Sequence, residues 1–131
     1  MIACEDTRKT AFLLSQYDVQ PPKLTSFHKF NERSKESLLF EHLKSGNDLA
    51  IVSDAGSPMI SDPAQLFVTK AIERGIQVVA LPGATALVPA ISISGFKSDQ
   101  FQFLGFLPPK PKQRKLVIES LITYPDRKSV V

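Results

Sequence analysis

The sequence has one cysteine, two histidines and six glycines in 131 residues, and each scarcity narrows the chemistry open to it. The lone thiol, Cys4, excludes an internal disulfide and fits a reducing cytoplasm. Lying inside an apolar run, it reads as a core residue. His28 and His42 lack the cysteine or second-histidine spacing of a metal site, so no metal is expected. No apolar stretch approaches the roughly 18 residues of a membrane helix. The first six residues have neither a basic region nor a long apolar segment, so no signal peptide is expected. G-x-G-x-x-G, G-x-x-x-x-G-K-[ST] and G-x-S-x-G are all missing, and with them the signatures of dinucleotide sites, Walker-type phosphate loops and nucleophile elbows. What is present is ordinary: 43% hydrophobic and 22% charged residues suit a soluble globular chain of about one domain, long enough to bury a core.

Charge is unevenly spread. Residues 1–107 hold ten basic and eleven acidic side chains, and residues 108–131 hold six and two. The surplus falls on Lys110, Lys112, Arg114, Lys115, Arg127 and Lys128, which reads as a solvated helix face or as a contact for a polyanion.

Along the chain, apolar runs alternate with helical periodicity. Met1–Cys4 reads as the inner part of a strand. Glu5-Asp6-Thr7-Arg8 forms a charged turn in which Asp6 or Thr7 caps a helix with Ala11, Phe12, Leu13, Leu14 and Tyr17 on its apolar side, ended by Pro21-Pro22. Lys23–Phe30 is expected to be a strand. Asn31 or Ser34 then caps a helix whose Leu38, Leu39, His42 and Leu43 share one face, closed by Gly46. Leu49–Val52 lacks alternation, as a strand buried on both faces does. In the following helix Ala64, Phe67, Val68, Ala71 and Ile72 keep i, i+3, i+4 spacing, with Asp62 as cap, Pro63 at the first position and Gly75 as stop. Ile76–Leu81 reads as another buried strand. A helix containing Pro89 in its first turn runs to about Ser94, Phe101–Leu107 is a weaker strand, and Lys112–Thr123 is helical. Alternating strands and helices predict right-handed crossovers and a parallel α/β sheet.

Two consecutive strand-to-helix loops, Asp54–Asp62 and Pro82–Thr85, are rich in glycine, proline and small residues. Such loops leave backbone N–H groups and the helix N-termini accessible to a ligand, at the strand ends where open α/β sheets bind. A turn required by the fold alone has the same composition. His42 reads as a helix-face residue; His28 follows a strand and lies near the same sheet edge.

Five strings stand in order: Glu5-Asp6-Thr7-Arg8, His28 with Asn31-Glu32, VSDAGSPMISDP from Val52 to Pro63, LPGATA from Leu81 to Ala86, and GFLPPK from Gly105 to Lys110. Together they resemble the tetrapyrrole methylase superfamily, and within it most closely the ribosomal RNA small subunit methyltransferase I group. The DAGSP-x-x-SDP string carries most of that resemblance, which reaches to about Leu121. It implies the parallel-sheet α/β/α N-terminal domain of the class III methyltransferase fold over residues 1–95, lacking its first strand. A linker and the start of a second α/β domain would occupy 96–131. It further implies S-adenosylmethionine as cofactor and 2′-O-methylation of a cytidine in small-subunit ribosomal RNA, in the cytoplasm, with no membrane, by a protein that is a homodimer at full length.

By the same resemblance, Asp54, Ala55, Gly56, Ser57 and Pro58 border the cofactor, with Pro82, Gly83 and Ala84 from the second loop. Glu5, Asp6, Thr7, Arg8 and His28 face the cleft where substrate enters, and Lys110 and Lys112 add substrate contacts. A ribose hydroxyl is a poor nucleophile that benefits from a base; Asp6 is the first candidate and His28 the second. The family opens with a further strand and a P-I-G-N-L loop and continues past the last residue, so the chain is expected to be truncated at both ends. A porphyrinoid methyltransferase shares this fold and cofactor. A remnant that binds RNA or a partner without chemistry is the reading from another class.

Overall fold

The computed structural model describes residues 1–20 and 22–122. It divides into two compact units, Met1–Ala84 and Thr85–Val131. The first holds β1 (Ile2–Cys4), α1 (Thr7–Gln16), β2 (Leu24–Ser26), α2 (Glu32–Lys44), β3 (Ala50–Val52) and α3 (Gln65–Glu73). The second holds α4 (Leu87–Ile93) and α5 (Pro111–Ile122). Thr123, Arg127 and Lys128, assigned above to the last helix or its basic surplus, lie outside the described residues.

All strands of the first unit run parallel, in the order β2-β1-β3. Ile2, Ala3 and Cys4 stand in register with Leu24, Thr25 and Ser26 on one side, and with Ala50, Ile51 and Val52 on the other. Each strand is followed by a helix, and each crossover returns the chain to the same end of the sheet. Glu5, Phe27 and Ser53 therefore leave the sheet together, which is what assembles the site below.

The core lies between the sheet and α2–α3. Ala3, Phe27, Leu39, Phe40, Ala64, Phe67 and Ala71 are buried in one cluster. Phe67 meets Phe27 edge-on at 5.6 Å and Phe40 at 4.5 Å between ring centroids. The guanidinium of Arg74 lies 3.6 Å over the Phe40 ring, and Glu36 accepts Lys70 Nζ at 2.6 Å, so charged groups seal the α2–α3 seam. The periodic set in α3 faces inward at Ala64, Phe67 and Ala71, but Ile72 is exposed. At the other end of α2, His42 Nε2 lies 3.0 Å from the Asp48 carbonyl oxygen, a structural fastening of helix to loop.

Several expectations are corrected. In α1 the buried residue is Thr10, whereas Phe12, Leu13 and Tyr17 are exposed. Asp6 caps the helix, and the start it sets turns the 10 position toward the sheet. This helix ends at Gln16, with Asp18 left-handed at φ 52°, before the Pro21-Pro22 pair. Strand β2 covers three of the eight residues expected. Asp62 does not cap α3: Ala64 holds that place at φ 86° without a side-chain cap bond, so the Asp62 carboxylate is not aimed at the first N–H groups. Neither 76–81 nor 101–107 forms a strand among the described residues. A parallel strand exists only through hydrogen bonds to a neighbour; β3 bonds to β1 on one edge, and no described strand lies on its other edge. The run 76–81 leaves Val79 67% and Leu81 84% exposed.

Candidate active site

Three strand ends supply the site. After β1 come Glu5 and Asp6, after β2 come Phe27, His28, Lys29 and Phe30, and after β3 come Ser53 and Asp54. Between them opens a hollow of about 370 Å³ lined by Glu5, Asp6, His28, Lys29, Phe30, Asp54 and Pro63. Carboxylates from two loops, an imidazole, an ammonium and an aromatic ring thus share one concavity at the carboxyl end of a parallel sheet, the place where such folds bind ligands.

Asp6 is committed before any ligand arrives. Its Oδ1 accepts the Arg8 backbone N–H at 2.9 Å and Arg8 Nε at 3.1 Å, and its Oδ2 accepts Arg8 Nη2 at 2.7 Å. The Arg8 guanidinium, and next its backbone N–H, hold the Asp6 carboxyl far below the usual carboxylate range, because both bonds favour the ionised form. A carboxylate stabilised in this way is a weak base. It is well suited to fixing positive charge or a hydroxyl in place. Across the hollow, Lys9 Nζ donates to Asp54 Oδ2 at 2.7 Å; the Asp54 carboxylate raises the Lys9 pKa. The pair ties α1 to the loop after β3.

His28 is held by its own turn. Asn31 Oδ1 accepts the His28 backbone N–H at 2.8 Å, which sets the amide orientation, and Asn31 Nδ2 then donates to Ser26 O at 3.1 Å and Ser26 Oγ at 3.2 Å. This use of its side chain is why Asn31 begins α2 without a side-chain cap bond. The imidazole has Nδ1 3.3 Å from the Phe30 N–H and Nε2 3.2 Å from Asn31 Nδ2. Both partners are donors, so a neutral ring accepts from one of them at its unprotonated nitrogen, and its own N–H is left for an acceptor on a ligand.

The loop from Ser53 to Ala64 is shaped for close approach. Ser53 Oγ donates to the Gly56 carbonyl at 3.0 Å, Gly56 stands at φ 71°, and Met59, Ser61 and Ala64 also have positive φ. Three left-handed non-glycine residues in one loop store strain of the kind found at ligand sites. The second loop meets the first here, since a Cβ built on Gly56 would lie 3.9 Å from the Ala84 carbonyl oxygen. Of the residues singled out in the sequence, Gly56 lies close to Ala84, and Glu5, Asp6, His28 and Asp54 line one hollow. Thr7 and Arg8 stand in the first turn of α1. Lys110 and Lys112 belong to the second unit, at the start of α5. Lys9, Lys29 and Phe30 carried no site role in the sequence, and Asn31 stood there as a cap and as part of the His28 string. Lys29 and Phe30 directly follow His28, and a basic–aromatic pair after a strand end was the signal available.

The profile of the tetrapyrrole (corrin/porphyrin) methylases matches residues 1–130. The chain belongs to that family. It is 47% identical over 121 residues to ribosomal RNA small subunit methyltransferase I of Haemophilus influenzae, covering 92% of this chain and 42% of the relative. It is 46% identical over 118 residues to the protein of that name from Halalkalibacterium halodurans, covering 90% and 40%. With the Mycoplasmopsis pulmonis protein of the same name the identity is 44% over 120 residues, covering 92% and 53%. The chain therefore spans about half the length of these relatives or less. Among the described residues no helix is long and apolar enough to cross a membrane.

Proposed function

We propose that this chain carries the strand-end half of an S-adenosylmethionine-dependent methyltransferase site. Its substrate is small-subunit ribosomal RNA and its target the 2′-hydroxyl of a cytidine; the protein works in the cytoplasm and, at full length, as a homodimer. The observation that supports this most is the convergence of Glu5, Asp6, His28 and Asp54 on one hollow, beside two small-residue loops that meet at Gly56 and Ala84. The relatives' names supply the reaction and the RNA class.

The two loops fit the cofactor on chemical grounds. Ala55 and Gly56 are exposed and carry no bulk, so a flat adenosyl group can approach the backbone, and Asp54 offers carboxylate oxygens to hydroxyl or ammonium donors. We assign cofactor holding to Asp54, Ala55, Gly56, Ser57, Pro58, Pro82, Gly83 and Ala84. When bound, the cofactor supplies an already activated methyl group on a sulfonium, which leaves the protein the work of placement and electrostatics.

The remaining work falls to this chain's own side chains. With Arg8 in place, Asp6 orients a ribose hydroxyl and favours nearby positive charge, and His28 is the candidate base, its unprotonated nitrogen exchanging the donor within its own turn for the hydroxyl. If Arg8 moves to an RNA phosphate, the Asp6 carboxyl regains basicity and takes that role. Glu5 and Thr7 line the substrate side, and Lys110 and Lys112 add phosphate contacts.

The test is transfer of isotope-labelled methyl from S-adenosylmethionine to small-subunit ribosomal RNA, followed by alkaline hydrolysis. Label in an alkali-resistant dinucleotide beginning with cytidine is expected, because a methylated 2′-oxygen cannot attack the adjacent phosphate. Label recovered in mononucleotides, or none transferred by a chain that binds both components, would contradict the reading.

A further inference from the structure

The exposed aromatic at the rim of the hollow has no part in the core. Phe27, Phe40 and Phe67 form the buried cluster, yet Phe30, three residues beyond Phe27, is 93% exposed. A phenylalanine so placed gives up the hydrophobic gain of burial. It is nevertheless not loose. Its backbone N–H lies 3.3 Å from His28 Nδ1, its ring stands edge-on to His28 at 6.1 Å between centroids, and the turn beneath is pinned by Asn31 to Ser26 and His28. The result is an apolar ring exposed to water above a hydrogen-bonded turn, beside Lys29 in a hollow that Glu5, Asp6 and Asp54 also line.

These groups match the parts of one nucleotide. The ring offers a π-face to a base, the carboxylate of Glu5 offers acceptors to ribose hydroxyls, and the ammonium of Lys29 offers a charge to a phosphate. We propose that Phe30 is a stacking platform for an unpaired base of single-stranded RNA, with Lys29 at the adjoining phosphate. This assignment rests on the RNA methyltransferase reading and adds to it the group that holds the nucleoside. A base can lie on this ring only when its face is free of a neighbour, so the strand must be unpaired. A protein surface seated on the ring is the competing occupant.

The chain contains no tryptophan and two tyrosines, so Phe30→Trp gives a single tryptophan at the platform, excited selectively at the red edge where tyrosine does not absorb. Titration of that variant with hexacytidylate should quench its emission, whereas an abasic oligoribonucleotide of the same length should leave it unquenched. In parallel, Phe30→Ala should weaken hexacytidylate binding by about tenfold, the usual order for one stacked base, and Phe30→Tyr should restore it. Neither change should alter the abasic strand's affinity, the circular dichroism or the affinity for S-adenosylmethionine. The platform assignment is overturned if the fluorophore is blind to bases, or if Phe30→Ala binds hexacytidylate as the parent does, as it would if the ring served a protein partner. It is also overturned if the parent chain binds no hexacytidylate; retained S-adenosylmethionine binding would then leave the methyltransferase reading standing.

Discussion

Two apolar runs of the first unit, Leu49–Val52 and Ile76–Leu81, look alike in sequence and have different fates. The first contributes β3, because β1 lies beside it and Ala50, Ile51 and Val52 pair with Ile2, Ala3 and Cys4. The second has equally β-prone residues and no ladder among the described residues; Ile76 touches the core, and Val78, Val79 and Leu81 face outward. The difference is a matter of neighbours, and it reaches the site. Behind β3, Asp54 is held by the sheet and by Lys9. Behind 76–81, the Pro82–Ala84 loop passes close to Gly56 at Ala84.

The contrast is broken most directly by paired truncations. Phe67→Ala, in the aromatic cluster, should cost about 3–5 kcal/mol, and Val79→Ala in the unpaired run less than about 0.5 kcal/mol, both read from urea midpoints. Equal losses would mean that 76–81 is packed after all. Next in size, Gly56→Val places a β-branched residue at φ 71°, which should destabilise by about 1–2 kcal/mol. Its branched side chain would also crowd the approach to Ala84 and weaken S-adenosylmethionine binding. If the second loop is held independently of the first, the binding loss should vanish while the stability loss remains.

Caps give a smaller and cleaner contrast. Asp6→Ala should lower the urea midpoint measurably, and Asp6→Asn less, because asparagine also caps well. Asp62→Ala should fall within about 0.5 kcal/mol, since that carboxylate caps nothing. Both aspartates looked like caps in the sequence, and the reason one fails is the left-handed Ala64 that separates it from α3. Backbone strain of that kind leaves no mark in residue type. Periodicity did find the inward face of α3 and the core leucine of α2, because a deep interface repeats every turn. It misread α1, where the cap sets the rotation and Thr10 takes the inner place. Spacing also could not separate Phe27 from Phe30, alike as residues and opposite in burial. The segment around Asp54 and Gly56 was legible as a loop because glycine, proline and small polar residues mark one, with Gly56 at φ 71°.

Acid titration gives the smallest effect. The folded Asp6 pKa is depressed, so its contribution to stability is present above the ordinary carboxylate pKa of about 3.9 and is lost as pH falls through the lower folded value. Carboxyl carbon shifts should show Asp6 still ionised at about pH 3, and Arg8→Ala should return it toward the ordinary range. Normal titration with Arg8 intact would mean that the ion pair does not persist in solution.

If the loops after β3 and after 76–81 together make a cofactor site, calorimetric titration of S-adenosylmethionine into the folded chain should show saturable one-to-one binding that Gly56→Val weakens. A chain folded by circular dichroism that takes up no cofactor, or binds it equally well with Gly56→Val, would overturn that assignment.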